Sequence, residues 1–205
     1  MLANKNKSSM TNPGCIILIC VICFFAIVGC ELAFLVIDGY KKPRYYAAIN
    51  SFSGLDPAKD LRRPSLDPVF NISLGVASDD LRHGECVVPG TAVEVSYRGS
   101  PLASGNAVQL CAWPRKAPSE QSLVAWGRGV RLPGFRLDNL VADARRGVEA
   151  FEVTLQMPPT SDDVGKIVTC TARRVGDAAA LQVPCDMSNM GYDWKPSPKD
   201  LHGGA

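Results

Sequence analysis

The residues best suited to chemistry in this chain of 205 are its cysteines and a few acidic pairs. Cys86, Cys111, Cys170 and Cys185 are spread through the polar part of the sequence. An even set outside an apolar segment suits an oxidising compartment and up to two disulfides; three connectivities are open, and the residues do not choose among them. Free buried cysteines are the alternative, because Cys is among the most buried residue types. A zinc site is the weaker reading: no pair of these four has close chelating spacing, and the only histidines are His83 and His202. Cys20-Val-Ile-Cys23 has redox-motif spacing but lies in an apolar run, where no solvated thiolate forms. Ser78-Asp79-Asp80 and Asp162-Asp163 place adjacent carboxylates in turn-like sequence. Such pairs serve metal or acid–base chemistry only beside further ligands, so solvated turns are the simpler reading.

Other reactive patterns do not occur in the sequence. No stretch follows the phosphate-loop or dinucleotide glycine pattern, and there is no G-x-S-x-G elbow. His83 and His202 make neither a catalytic triad nor a histidine metal cluster. Arg62-Arg63, Arg145-Arg146 and Arg173-Arg174 are scattered and read as solvated surface pairs. The formal net charge of +2 is far from that of a nucleic-acid-binding domain. The chain reads as a non-enzyme with no cofactor, no metal and no nucleic-acid partner.

The element that positions everything else is Cys15 to Ile37, apolar except for Glu31. A bilayer core of roughly 30 Å needs about 20 such residues as a helix. The run is longer than a signal-peptide core and lacks an Ala-x-Ala site after it, which favours an uncleaved anchor. Glu31 lies toward the C-terminal end of the span, where snorkelling to the headgroups is the simpler role than an intramembrane relay. Gly29-x-x-x-Ala33 is a small-residue pair that suits helix self-association and hence a homo-oligomer. Cys15, Cys20, Cys23 and Cys30 read as apolar fillers, with Cys15 at the boundary a candidate for palmitoylation. The expected organisation is a cytosolic head over 1–14, the transmembrane helix over 15–37, a connector over 38–44, a β-domain over 45–187 and a loose tail over 188–205. Lys5 and Lys7 before the span, against Lys41, Lys42 and Arg44 after it, lean toward a cytosolic domain. The domain cysteines and the sequon Asn71-Ile72-Ser73 argue for the other side.

The domain reads as short alternating strands. Tyr45 to Phe52 is a first strand, and Asp56 to Pro68 is a proline-punctuated loop. Phe70, Ile72, Leu74 and Val76 alternate with polar or small residues, which puts Asn71 on the exposed face and makes it the candidate glycosylation site. Val93 to Tyr97 is a strand closed by the turn Arg98-Gly99-Ser100-Pro101. A short strand at Val108–Leu110, a loop from Trp113 to Ser119 and a strand from Leu123 to Leu132 broken by Gly127 and Gly129 follow. Phe135 to Arg146 has helical spacing, with strand and loop as the alternative in an all-β setting. Phe151 to Met157 alternates, as do Val168, Cys170 and Ala172. Val175-Gly176-Asp177 then turns the chain into a strand carrying Leu181, Val183 and Cys185. Cys170 and Cys185 fall on inward positions of these two strands, so a bridge between them is open. The sum is an antiparallel β-sandwich.

The order of these features resembles the plant LEA-2 superfamily, and more narrowly its harpin-induced, non-race-specific disease resistance-like branch. The stretches that carry the likeness are FNISLGVAS, VEVSYRGSPLASG, VEAFEVTLQMPP, KIVTCTARR and ALQVPCDM, over roughly Tyr45 to Met187 plus the anchor. Its most specific piece is Val93 to Gly99 followed by Leu102-Ala103. The chain departs from the family at Ala77-Ser78-Asp79, where an Asn-Pro-Asn turn is usual, and in the pattern after Gly105. The resemblance implies an immunoglobulin-like sandwich, a single-pass type II arrangement and a plasma-membrane address with the C-terminal domain extracellular. It also implies a non-enzymatic binding or scaffold role in defence or stress responses, toward a protein or cell-wall partner. Lipid binding at the membrane surface is the alternative that it implies.

Overall fold

The computed structural model describes residues 13–39, 42–80, 83–114, 116–160 and 164–190. It divides into two units, 1–41 and 42–205. In the first, a single helix α1 runs over Pro13–Gly39. Proline suits the first turn, where its missing N–H would have no partner anyway. Ile16–Phe34 is long and apolar enough to cross a membrane, a property shared by anchors and signal sequences. Glu31, Gly29 and Ala33 are exposed on this helix, as are the free cysteines Cys20, Cys23 and Cys30.

The second unit is mainly β. Its strands are β1 Arg44–Ser53, β2 Val69–Ala77, β3 Glu85–Val87, β4 Ala92–Tyr97, β5 Ser100–Asn106, β6 Leu110–Ala112, β7 Ser119–Trp126, β8 Ala150–Met157, β9 Lys166–Arg174 and β10 Asp186–Asn189. A helix α2, Gly134–Arg146, precedes β8, and a short 3-10 helix, Ala178–Gln182, precedes β10. Eight strands form one antiparallel sheet in the order β1-β2-β7-β5-β4-β8-β9-β10, and β3 pairs with β6 apart from it. The sheet curls until its ends meet. Ile49 of β1 bridges Val175 just past β9, and the Gly176 N–H donates to the Ile49 carbonyl at 2.8 Å. The Cys185 N–H donates to the Tyr45 carbonyl, also at 2.8 Å.

The expected alternation of β2, β4 and β8 puts Phe70, Ile72, Val93, Val95, Phe151 and Val153 inside. A chain of aromatic rings crosses the core: Phe70 lies 5.1 Å from Phe151, and Phe52 and Tyr97 lie 5.9 and 6.1 Å from Phe151. The edge-on geometry sets positive ring edges against negative faces.

Elsewhere the structure differs from the sequence expectation. Ser100 and Pro101, read as part of a turn, begin strand β5, Ser100–Asn106. The expected strand over 123–132 is β7, shifted to Ser119–Trp126, because the chain must leave the ladder at Gly127. A Cβ there would lie 2.0 Å from the Leu102 carbonyl oxygen. Val108 is exposed and β6 begins only at Leu110. The helical spacing of 135–146 is met, by contrast, as α2, closed by Gly147 in the left-handed region at φ 63. Leu181 and Val183 belong to no strand. Asp177 caps the 3-10 helix by accepting from the Ala179 N–H at 2.9 Å, and pairing resumes at Asp186. β10 therefore extends past Met187, where the tail was expected to start.

The alternation of β9 also breaks. Phe151 faces Arg173 and Val153 faces Cys170, so Thr171 and Ala172 stand opposite the single residue Glu152. This bulge holds Ala172 at φ 53. One extra residue reverses the faces beyond it. Ala172 is exposed, and Arg173, expected in a solvated pair, is only 5% exposed. Replacing Phe151 by Ala removes the hub of the aromatic chain. It is expected to lower unfolding stability by about 3–5 kcal/mol, read as a lower urea midpoint at unchanged slope.

Candidate functional site

The strand registers assign each connection to one end of the sheet. Arg44 lies opposite Ala77, Val76 opposite Ser119, and Met157 opposite Lys166. At the other end Ser53 lies opposite Val69, Val69 opposite Trp126, and Ala150 opposite Arg174. The segments 54–68 and 127–149 and the β4–β5 turn therefore share the Ser53 end. Backbone bonds tie the first two together: Leu66 and Val130 exchange both N–H bonds at 2.9 and 2.8 Å.

The β4–β5 turn is Arg98-Gly99, with φ of 48 and 73. Two positive φ values match the right-handed twist of a two-residue hairpin, but Arg98 is strained there. Its side chain is anchored in compensation. Arg98 Nη2 lies 3.1 Å from Asp143 Oδ2, Arg146 Nη2 lies 2.7 Å from Asp143 Oδ1, and the Tyr97 hydroxyl donates to Oδ2 at 2.6 Å. Arg136 adds a bond to the Ser100 hydroxyl. Helix α2 is thus fastened to the hairpin through one carboxylate that is 8% exposed. The Tyr97 hydroxyl, then Arg146 and Arg98, hold the Asp143 carboxyl below its usual range against the opposing effect of burial. Burial first, and the bond to Asp143 second, push the Tyr97 phenol up to about 12. Both shifts move away from neutral pH, the reverse of tuning for proton transfer. This network positions rather than reacts.

Beside it lies a cleft of about 490 Å³ between the Phe52–Asp60 segment and Ala144 and Glu149. Asp56 Oδ1 accepts the Ala58 N–H at 2.7 Å, and Asp60 Oδ2 accepts the Asp56 N–H at 3.1 Å, so these acids brace their own loop. Glu149 is half-buried, and its Oε2 is buried without a hydrogen-bond partner. Trp126 and Phe135 are exposed on segments at this end, and the Arg136 guanidinium stands 5.5 Å from the Phe135 ring centre.

The residues singled out in the sequence fall elsewhere. Asn71 is exposed on β2, between Ser51 and Val124. Cys86 and Cys111 face each other across β3 and β6 and form one disulfide; Cys170 and Cys185 form the other. Asp79 pairs with Arg44 at 2.5 Å, and Asp80 contacts His83 Nδ1 at 3.0 Å. Among the described residues no three His, Cys, Asp or Glu side chains are placed to share a metal ion. Asp162, Asp163, His202 and the side chain of Cys15 lie outside the described residues. Arg146 is engaged by Asp143, whereas Arg173 donates to the Val183 carbonyl at 2.9 Å and lies 3.3 Å from Cys185 Sγ. Burial pulls its guanidinium below the usual value, partly offset by Asp177.

Sequence reasoning did not find the Asp143 network. Its signal was the Arg-Gly turn after a strand ending in Tyr, together with an acid three residues before Arg146 on the same helix. No family model, curated protein or solved structure matches the chain.

The Tyr97 phenol is raised from 10.0 in the folded state, so its contribution to stability is complete below about pH 10 and is lost as pH rises toward 12. Asp143 acts at the other extreme, stabilising above its unfolded value of about 3.9 and failing as pH falls through its lower folded value. Tyr97→Phe should flatten the alkaline decline in thermal midpoint. It should also cost about 1.5–3 kcal/mol at neutral pH, the scale of a hydrogen bond to a charged group.

Proposed function

We propose that this chain is a non-enzymatic, membrane-anchored β-sandwich protein of the LEA-2 type. It has a binding or scaffold role in plant defence or stress responses at the cell surface. The observation that carries the reading is the pairing of all four domain cysteines in a domain that follows an apolar helix. Two disulfides suit a domain that matures in an oxidising compartment. This supports the reading of a C-terminal domain outside the plasma membrane in a type II arrangement. Asn71, exposed on the outer face of β2, is then open to glycosylation. The immunoglobulin-like description rests on the resemblance and is supported by the curled antiparallel sheet. The aromatic chain through the core favours a scaffold over a domain that stores lipid between its faces, since close-packed rings leave little room for an acyl chain.

Expression in plant cells tests this. Endoglycosidase should increase gel mobility for the natural chain and not for Asn71→Gln, and the domain cysteines should resist alkylation until reductant is added. Protected cysteines without a mobility shift would mean an unused sequon and leave the topology standing. Free alkylation of Cys86, Cys111, Cys170 and Cys185 in unreduced cells would place the domain in the cytosol and overturn the cell-surface reading.

A further inference from the structure

We propose that the Cys170–Cys185 disulfide is a redox latch: of the two disulfides it is the one that an external small-molecule thiol opens first, with Arg173 holding the thiolate that forms at Cys185. This goes beyond the binding role above and rests only on the domain's disulfides. Arg173 is 5% exposed. Among the described residues both of its hydrogen-bond acceptors are neutral, the Val183 carbonyl at 2.9 Å and Cys185 Sγ at 3.3 Å. Asp177 acts on it only through space. A buried cation without a contacting anion is costly, and the Cys185 sulfur is the group beside it that can become one. The other disulfide has no such neighbour among the described residues. The donor beside Cys111 Sγ is the neutral amide of Gln109 at 3.7 Å, and Lys166, which shares a small hollow with Cys86, is paired with Glu85 at 3.0 Å.

Two external thiols give two electrons to the Cys170–Cys185 bond and leave joined as their own disulfide. Of their two protons one goes to Cys170, which is fully buried in the apolar core, and one goes to solvent, because Cys185 stays a thiolate against the guanidinium. The cation's hold on that thiolate is stronger in a low-dielectric interior than in water. A more stable reduced form makes the couple easier to reduce. The bond also holds the segment whose Gly176 and Cys185 N–H groups cover Ile49 and Tyr45 of β1. Opening it removes the covalent part of that closure and leaves the backbone bonds, so the edge of β1 becomes the place where the domain first loosens.

Equilibration of the purified full-length chain, in neutral detergent, with graded mixtures of reduced and oxidised glutathione tests the inference. Differential alkylation and peptide mass spectrometry read each cysteine pair. Cys170–Cys185 should open at a ratio of squared reduced to oxidised glutathione roughly tenfold lower than Cys86–Cys111. Arg173→Gln should raise the ratio needed to open it by roughly threefold or more, and Arg173→Lys, which keeps the charge, should restore it. An arginine that served packing alone would act the other way, since loosened packing exposes the bond and eases its reduction. In the singly reduced chain amide exchange should rise at Gly176 and Cys185 before it rises in β2 or β8. Earlier or simultaneous opening of Cys86–Cys111, unchanged or easier reduction of Arg173→Gln, no restoration by Arg173→Lys, or unchanged exchange at Gly176 and Cys185 would overturn the proposal. The order of opening and the exchange are read on the natural chain, so they decide even where a variant does not fold. None of these results alters the glycosylation outcome in cells, so the two readings fail separately.

Discussion

A curled sheet must satisfy the backbone groups of its outer strands, and in this domain the segment after β9 does so. Unpaired strand edges template aggregation unless they are covered. Here Gly176 and Cys185 donate to Ile49 and Tyr45 of β1, so the far side of the sheet covers the first strand. The bulge at Ala172 contributes to this closure. By reversing the faces of β9 it brings Arg173 inside, where the guanidinium holds the Val183 carbonyl beside Cys185. The Cys170–Cys185 disulfide then ties the same segment to the interior of β9. One irregularity in one strand thus serves a backbone closure, a buried cation and a covalent bond together.

The closure continues toward the second disulfide. Tyr45, whose carbonyl receives the Cys185 N–H, donates its hydroxyl to Glu85 at 2.5 Å, and Glu85 pairs with Lys166 at 3.0 Å. Glu85 begins β3, which the Cys86–Cys111 bond fastens to β6. The Arg44 end of the sheet is therefore cross-braced by ion pairs and sulfur. The Ser53 end is braced by the carboxylates of Asp143 and Asp67 and by loop-to-loop backbone bonds. The Ser53 end thus carries fewer covalent constraints, with a helix and a cleft in place of sulfur.

Much of this was legible in the residues because burial writes a period into sequence. Phe70 to Val76, Val93 to Tyr97 and Phe151 to Met157 alternate, and they are the strands that pack the core. The apolar run of α1 is equally plain. What escaped was decided by contacts between distant segments. The break at Gly127 was legible, but not its cause, the passage of the Leu102 carbonyl beside it. Ser100–Asn106 is strand although it contains Pro, Gly and small residues, because β4 and β7 flank it. Arg173 looked solvated because the pattern Val168, Cys170, Ala172 was extended through a bulge that period-two reasoning does not anticipate. The disulfide partners were left open for the same reason, since only the register of β3 with β6 sets Cys86 opposite Cys111.

Among the described residues two buried side-chain polar atoms lack a hydrogen-bond partner, and their surroundings differ. Arg173 Nε and Glu149 Oε2 carry the same local defect. Around Arg173 the defect is incidental. Its Nη2 is engaged by Val183 and Asp177 partly offsets the effect of burial, so the side chain is accounted for by the closure it helps to make. Glu149 has no such account among the described residues. The residue borders a cleft, but its Oε2 is itself buried and joins no hydrogen bond.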